Sequence, residues 1–224
     1  MSEPTRSLRA IVLAAIVLCI VASLVGAKAD QDKGAPTGLK VASVDVSRLL
    51  TEYKYAVNTT NDLQKKNDEL ELKLRTIQQN FLLPEADQNT LADLTVQQNS
   101  PNGLTPAQKQ TLTKLQTDSK ALMDQYSALQ QKQVGQLTQQ DKDNLQDFTK
   151  RASDTDSRLR AMEQQGKGDL DKQLQTAQNK AVTDIHDAVA RVAKEKGFSL
   201  VLRSDVAFYA DNDITDAVLT QLNK

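Results

Sequence analysis

Apolar residues return at alternating steps of four and three over one long stretch, through Leu49, Tyr53, Ala56, Thr60, Leu63, Asn67, Leu70, Leu74, Ile77 and Phe81. A period of about 3.5 residues holds one seam of a helix against a partner helix rather than against a globular core. The spacing therefore predicts a long helix that needs a partner. A second helical run, from about Pro106 to Lys196, is long enough to return along the first, and the pair predicts a long antiparallel helical hairpin. At 1.5 Å per residue the first arm reaches about 50 Å. Tyr53–Thr60 is poor in strong helix formers, which leaves room for a short first helix to break from the long one, with the heptad then starting near Ala56.

Helix punctuation divides the rest. Phe81-Leu82-Leu83-Pro84 ends the first arm, because proline disfavours helix at the residue before it. A short amphipathic piece carried by Leu91, Leu94 and Val96 follows, and Asn99-Ser100-Pro101-Asn102-Gly103 reads as a turn, so the loop of the hairpin is placed near 99–105. Thr105, Pro106 and Gln108 form a capping box with proline at the first helical position. The second arm carries Leu112, Leu115, Leu122, Tyr126 and Leu129 at heptad spacing and loosens over 134–143. It resumes with Phe148, Ala152, Leu159 and Met162 and, beyond Gly166-Lys167-Gly168, with Leu170, Leu174, Ala177, Ala181, Ile185, Ala188 and Val192. Two glycines costing about 1 kcal/mol each in a helix interior predict a kink or break there. About fifty residues precede the Asn99–Gly103 turn and about ninety follow it, so the hairpin tip must hold extra folding.

Near both ends the period changes. Leu39–Val46 is short and β-branched and reads as a strand, with Ser47 as the cap of a helix starting at Arg48. Lys194-Glu195-Lys196-Gly197 is a helix end. Phe198–Leu202 and Val206–Ala210 read as second and third strands, and Asp213 caps a last helix in which Ile214, Ala217, Val218 and Leu222 share a face. Strands from opposite ends of the chain meet only if the hairpin returns to its origin. The expected fold is mainly α with a small β body (α+β), in which a long antiparallel helical hairpin over 49–196 projects from a small sheet domain built from 39–48 and 197–224.

The first 29 residues are of a different kind. Arg6 and Arg9 precede an apolar run from Ala10 to Gly26, and Ala27 and Ala29 place small residues where a signal peptidase cuts, which describes a secretory signal peptide removed before Asp30. An uncleaved inner-membrane anchor facing the periplasm is the alternative, since the run lies close to the lower limit for a span. Residues 30–38, with Gly34, Pro36 and Gly38, form a linker. Cys19, the one cysteine, lies in the apolar run behind Leu18, which does not suit lipid attachment. Without it the mature chain has no thiol chemistry.

Hydrophobic residues are 39% of the chain and aromatics 4%, with no Trp, and part of that apolar share belongs to the leader. What remains suits helices that bury one seam better than a compact core. Removing Arg6, Arg9, Lys28 and Glu3 from totals of 28 basic and 29 acidic residues leaves 25 and 28, a net charge of −3, which gives no support for nucleic-acid binding. Enzyme chemistry has no foothold either. His186 is the single histidine, with no further His or Cys to complete a metal site, and Asp211-Asn212-Asp213 lacks the offsets of a calcium loop. No nucleophile elbow or phosphate-binding glycine loop is present. No catalytic, cofactor-binding or metal-binding residue is expected.

Gly38–Leu50, with its strand Leu39-Lys40-Val41-Ala42-Ser43-Val44, together with Gly197–Leu202, Val206–Tyr209 and Asp213–Leu219, resembles the Skp/OmpH family of periplasmic chaperones. The likeness covers about 38–80 and 170–224. It implies a homotrimer whose small sheets join into a body, with helical arms around a cavity that holds unfolded outer-membrane β-barrel proteins in the periplasm without ATP. Short strands with open edges agree with subunit joining, and Val41, Val44, Leu200, Leu202 and Phe208 are the candidate trimer contacts. Leu122, Met123, Tyr126, Leu129 and Leu137 are the candidates for client contact on the arm. Proximity to the membrane surface is part of the same expectation. Two departures stand out: the arms are near neutral where familiar members are strongly basic, and 97–146 holds 13 glutamines, so no lipopolysaccharide site is carried over. A structural coiled-coil scaffold or adaptor of the cell envelope is the competing reading.

Overall fold

The structure, a computed structural model, describes residues 39–207, 209 and 211–224. The expected signal peptide and linker lie outside the described residues, as do Phe208 and Ala210 of the expected third strand. In chain order the elements are β1 (Val41–Val44), α1 (Val46–Glu52), α2 (Lys54–Gln79), α3 (Glu85–Gln98), α4 (Pro106–Gln131), a 3-10 turn (Val134–Gln136), α5 (Gln139–Lys196), β2 (Leu200–Arg203) and α6 (Thr215–Leu222). The fold is mainly α with a small sheet, as the sequence predicts, and the sheet is parallel. Two compact units divide the described residues, one drawn from 39–64 with Asp171–Lys224 and the other Lys65–Leu170.

The first unit is built around β1. Its β-branched residues pair with β2 in parallel, Val41 opposite Leu200 and Val44 opposite Arg203. Parallel pairing suits two strands joined by a long crossover of helix. On the other edge of β1, the Ser43 amide donates to Asn212 O at 2.7 Å and Ser43 O accepts from the Ile214 amide at 2.9 Å. The expected third strand is thus displaced: Val206 and Ala207 lie in a turn, their amides donating back to Arg203 O, and the segment that reaches the sheet is Asn212–Ile214. Ala42, Val44, Leu49, Leu50, Ile185, Ala188, Val192, Ile214, Val218 and Leu219 form the core beneath. Fully burying a side chain such as Leu49 contributes about 1.5–3 kcal/mol.

Local chemistry sets the joins. Asp45 rather than Ser47 caps α1, its Oδ1 accepting from the Arg48 amide at 3.0 Å, so the helix starts two residues earlier than expected. Tyr53 then turns to ψ 110 and separates α1 from α2, which is the anticipated break. At the far end Gly197 has φ +71, and the Phe198 and Gly197 amides donate to Ala193 O and Lys194 O. This is the glycine-terminated helix end read from the sequence. Asp213 accepts from the Thr215 amide at 2.8 Å and holds the start of α6 from one position before the Ile214 cap.

In the second unit all described seam positions from Asn67 to Phe81 are buried or half-buried. As α2 advances from Leu70 to its exit at Leu82, its neighbours on α5 retreat from Gly166 to Arg151, so the two helices run antiparallel. The extra folding is α3 and α4. They pack on each other through Leu91, Leu94, Leu112 and Leu115, with Leu83 in the same cluster, and are joined by the Asn99–Gly103 turn, with Gly103 at φ +58 and the capping box of Thr105 and Gln108 complete.

Two expectations about the second arm are corrected. The run from Pro106 to Lys196 is two helices, because α4 stops at Lys132 and α5 restarts behind Thr138. The Thr138 hydroxyl accepts from the Asp141 amide at 3.2 Å, and Asp141 accepts from the Thr138 amide at 3.0 Å. That reciprocal cap stabilises a new start. The helix α5 also passes through Gly166 and Gly168 without a break. Gly166 serves proximity: a Cβ there would meet Leu70 at 3.0 Å from Cδ1 and 3.3 Å from Cγ, and closer still to Cδ2.

Candidate functional site

Two places bear on function, one in each unit. In the first, β2 has β1 on one side and no strand on the other among the described residues. Leu200 is 42% exposed, while Leu39, Val206 and Tyr209 on the flanking segments are more exposed still. An unpaired strand edge next to large apolar side chains is a surface suited to pairing with another chain. Of the candidate trimer contacts, Leu200 and Leu202 stand on this strand, and Val41 is half-buried opposite Leu200. Val44 is taken up by the internal core, and Phe208 lies outside the described residues.

In the second unit the candidate client contacts converge on one cluster. Leu129 is buried with Leu82 and Phe148, and Leu122, Met123 and Tyr126 pack against them. The Tyr126 ring stands edge-on to Phe81 and to Phe148, with centroids 6.3 and 5.7 Å away. Four of the five thus share an internal aromatic core, and Leu137, half-buried, sits in the 3-10 connection. Beside this core lies a buried polar node that the sequence reading missed. Gln88 is 1% exposed; its Nε2 donates to Leu83 O at 2.8 Å, Phe81 O at 3.1 Å and Thr155 Oγ1 at 3.1 Å. Its Oε1 accepts from Arg158, which also meets Glu85 at 3.1 Å, and Arg151 donates to Leu82 O at 2.8 Å. Carbonyls left without partners where α2 ends are therefore satisfied by side chains of α3 and α5. The available signal was position: Gln88 falls on the apolar stripe three residues before Leu91.

The second unit neutralises its own charge. Lys114 with Asp118, Lys120 with Asp124, Lys150 with Asp154, Arg151 with Asp147 and Arg160 with Asp156 are pairs one helical turn apart. Lys132 bridges to Asp141 at 2.9 Å, and hydrogen bonds from Lys132 and Thr138 hold the Asp141 carboxyl below its usual range. Exposed pairs of this kind add little stability. Their effect is on the field, since a cation beside its own anion exerts little attraction beyond a Debye length.

In the first unit Tyr53 Oη donates to Asp184 Oδ2 at 2.6 Å, and Lys180 Nζ reaches the same oxygen at 2.6 Å. Burial pushes the Asp184 carboxyl up, but the bonds from Lys180 and Tyr53 outweigh it and the net shift is downward. Burial, then the bond to Asp184, pushes the Tyr53 phenol up. The Asp211–Asp213 stretch is occupied with the sheet: Asn212 Nδ2 donates to Val41 O at 3.3 Å and Asp213 holds Thr215. His186 is exposed, 3.5 Å from the adjoining Asp187 carboxylate, and among the described residues no cluster of metal-ligating side chains forms.

Residues 88–222 match the family model described as Outer membrane protein (OmpH-like). The chain belongs to this family. The match takes in more than half the chain and includes most of α3, all of α4 and the first part of α5, a stretch for which sequence resemblance alone offered only helicity. No curated protein and no solved structure gives a significant match. OmpH-like proteins are chaperones of the Skp/OmpH type that work in the periplasm. Among the described residues no helix is long and apolar enough to cross a membrane.

Proposed function

We propose that this OmpH-like protein is an ATP-independent periplasmic holdase that binds unfolded outer-membrane β-barrel proteins and prevents their aggregation, working as a homotrimer after removal of residues 1–29. The match over 88–222 carries this reading. An unfolded barrel exposes strands with alternating apolar residues whose lipid face has nowhere to bury. Many shallow contacts along helical arms shield such a face while leaving each contact easy to release. The open edge of β2 supports subunit joining through Leu200 and Leu202, with Val41 and Phe208 as the further candidates. The self-paired charges support a client grip that owes little to electrostatic attraction.

The test dilutes a urea-unfolded β-barrel protein into buffer with and without stoichiometric protein, at low and high salt, and follows light scattering. Suppressed scattering that persists at high salt is the expected result. Undiminished scattering with several different barrels would refute the holdase reading, and suppression lost in salt would refute the uncharged grip. Intact-mass measurement on envelope material checks the mature start at Asp30.

A further inference from the structure

From the bonds made by Asn223 we infer that the break between α1 and α2 is a locked hinge, and that this one side chain is its lock. In an uninterrupted helix the Lys54 amide donates to Leu50 O and Glu52 O accepts from the Ala56 amide. The extended Tyr53, at ψ 110, removes both partners. Asn223, the residue after α6, supplies replacements: its Oδ1 accepts from the Lys54 amide at 2.8 Å and its Nδ2 donates to Glu52 O at 3.0 Å. One amide group thus stands in for a peptide unit at the interruption, satisfying a donor at the start of α2 and an acceptor at the end of α1.

The surroundings make Asn223 a latch rather than a chance contact. Leu222, beside it, packs on the cluster of Tyr53, Ala56 and Ala181, and Asp216, at the other end of α6, pairs with Arg48 of α1 at 3.0 Å. The helix α6 therefore grips α1 by its first turn and reaches the break with its last. Tyr53, the pivot, is tied by its hydroxyl to Asp184 of α5. A backbone break with polar groups satisfied by a neighbouring element holds one angle; with those groups released to water, only the side-chain contacts of Tyr53 and Ala56 are left to set the angle at which α2 begins. Asn223 is accordingly a positioning residue for the first turns of α2, a role independent of what the protein binds.

The experiment compares the full chain with Asn223→Ala and Asn223→Asp, by amide hydrogen exchange and by the distance distribution between spin labels at Ser47→Cys and Asn61→Cys in a Cys19→Ser background. With Asn223→Ala, the Lys54 amide is expected to exchange at least tenfold faster, while the Leu49 and Val218 amides, bonded to Asp45 O and Ile214 O, keep their rates. The 47–61 distribution broadens. Asn223→Asp keeps an acceptor and leaves Lys54 protected. An unchanged Lys54 rate, equal acceleration of all three amides, or an unbroadened distribution overturns the hinge.

Discussion

Gly166 and Gly168 offer a controlled comparison, two glycines on one helix turn with opposite surroundings. Replacing either by Ala in a helix interior gains about 1 kcal/mol of helix propensity. At Gly168 a Cβ meets nothing within 4 Å, so the whole gain is expected. At Gly166 the new Cβ falls 3.0 Å from Leu70 Cδ1, 3.3 Å from Cγ and nearer still to Cδ2. The crowding atoms are the free end of one half-buried side chain, so a turn of Leu70 about its outer bond can move the nearest methyl away but leaves Cγ close. The side chain must leave its rotamer or the helices must part, at about 1–3 kcal/mol. Gly166→Ala is thus expected to range from neutral to destabilising by about 2 kcal/mol, and to lie about 1–3 kcal/mol below Gly168→Ala. Urea unfolding followed by far-ultraviolet circular dichroism measures both. Adding Leu70→Ala supplies the check: with the crowding atoms gone, Gly166→Ala should become stabilising by about 1 kcal/mol. Equal stabilisation by the two single substitutions would refute the close approach of α2 and α5.

Gln88→Leu leaves the Phe81 and Leu83 carbonyls short of a donor in a buried site and should destabilise by about 1–3 kcal/mol in the same assay. Leu200→Asp should dissociate the proposed trimer in sedimentation while the single-chain circular dichroism is kept, since Leu200 is 42% exposed in one chain; an unchanged sedimentation coefficient would count against the β2 edge as the joint. For Asp184, whose folded carboxyl is held below its ordinary value, the stabilisation is present at neutral pH and is lost as pH falls through the lowered value. Asp184→Asn should therefore flatten the decline of stability below roughly pH 4, and an identical acid profile would contradict the sign.

Much of this fold is legible because it is local. The seam from Leu49 to Phe81, the turn at Asn99–Gly103, the capping box at Thr105 and the glycine helix end at Gly197 each depend on residues within a few positions of one another. What escaped depends on distant partners. Gly166 reads as a helix breaker until Leu70 is placed against it, and Gln88 reads as one more polar residue until the spent carbonyls of Phe81 and Leu83 face it. Val206–Ala210 reads as a third strand from the sequence. The edge of β1 instead takes Asn212–Ile214, where main-chain bonds to Ser43 decide, and side-chain hydrophobicity carries no information about those. The break before α5 left a readable sign, Thr138 followed three residues later by Asp141, within the stretch over 134–143 where the heptad loosens. At the candidate sites, the sequence named the apolar residues of the second arm; their partners in the cluster around Phe148 belong to packing.

The parallel pairing of β1 with β2 also fixes an order of events. Ala42 lies opposite Val201, so when the chain emerges from its amino end, β1 appears with its apolar side chains and has no strand to join until all of α2 to α5 has followed. Closing so wide a span in a flexible chain costs about 4–5 kcal/mol of entropy, and every antiparallel contact already made between α2 and α5 shortens that span. The helices are thus expected to form first and bring the sheet together, and the core of the first unit to be the last part to set. For that interval a protein proposed to shelter unfinished chains is itself one, with a bare β-strand waiting for its partner.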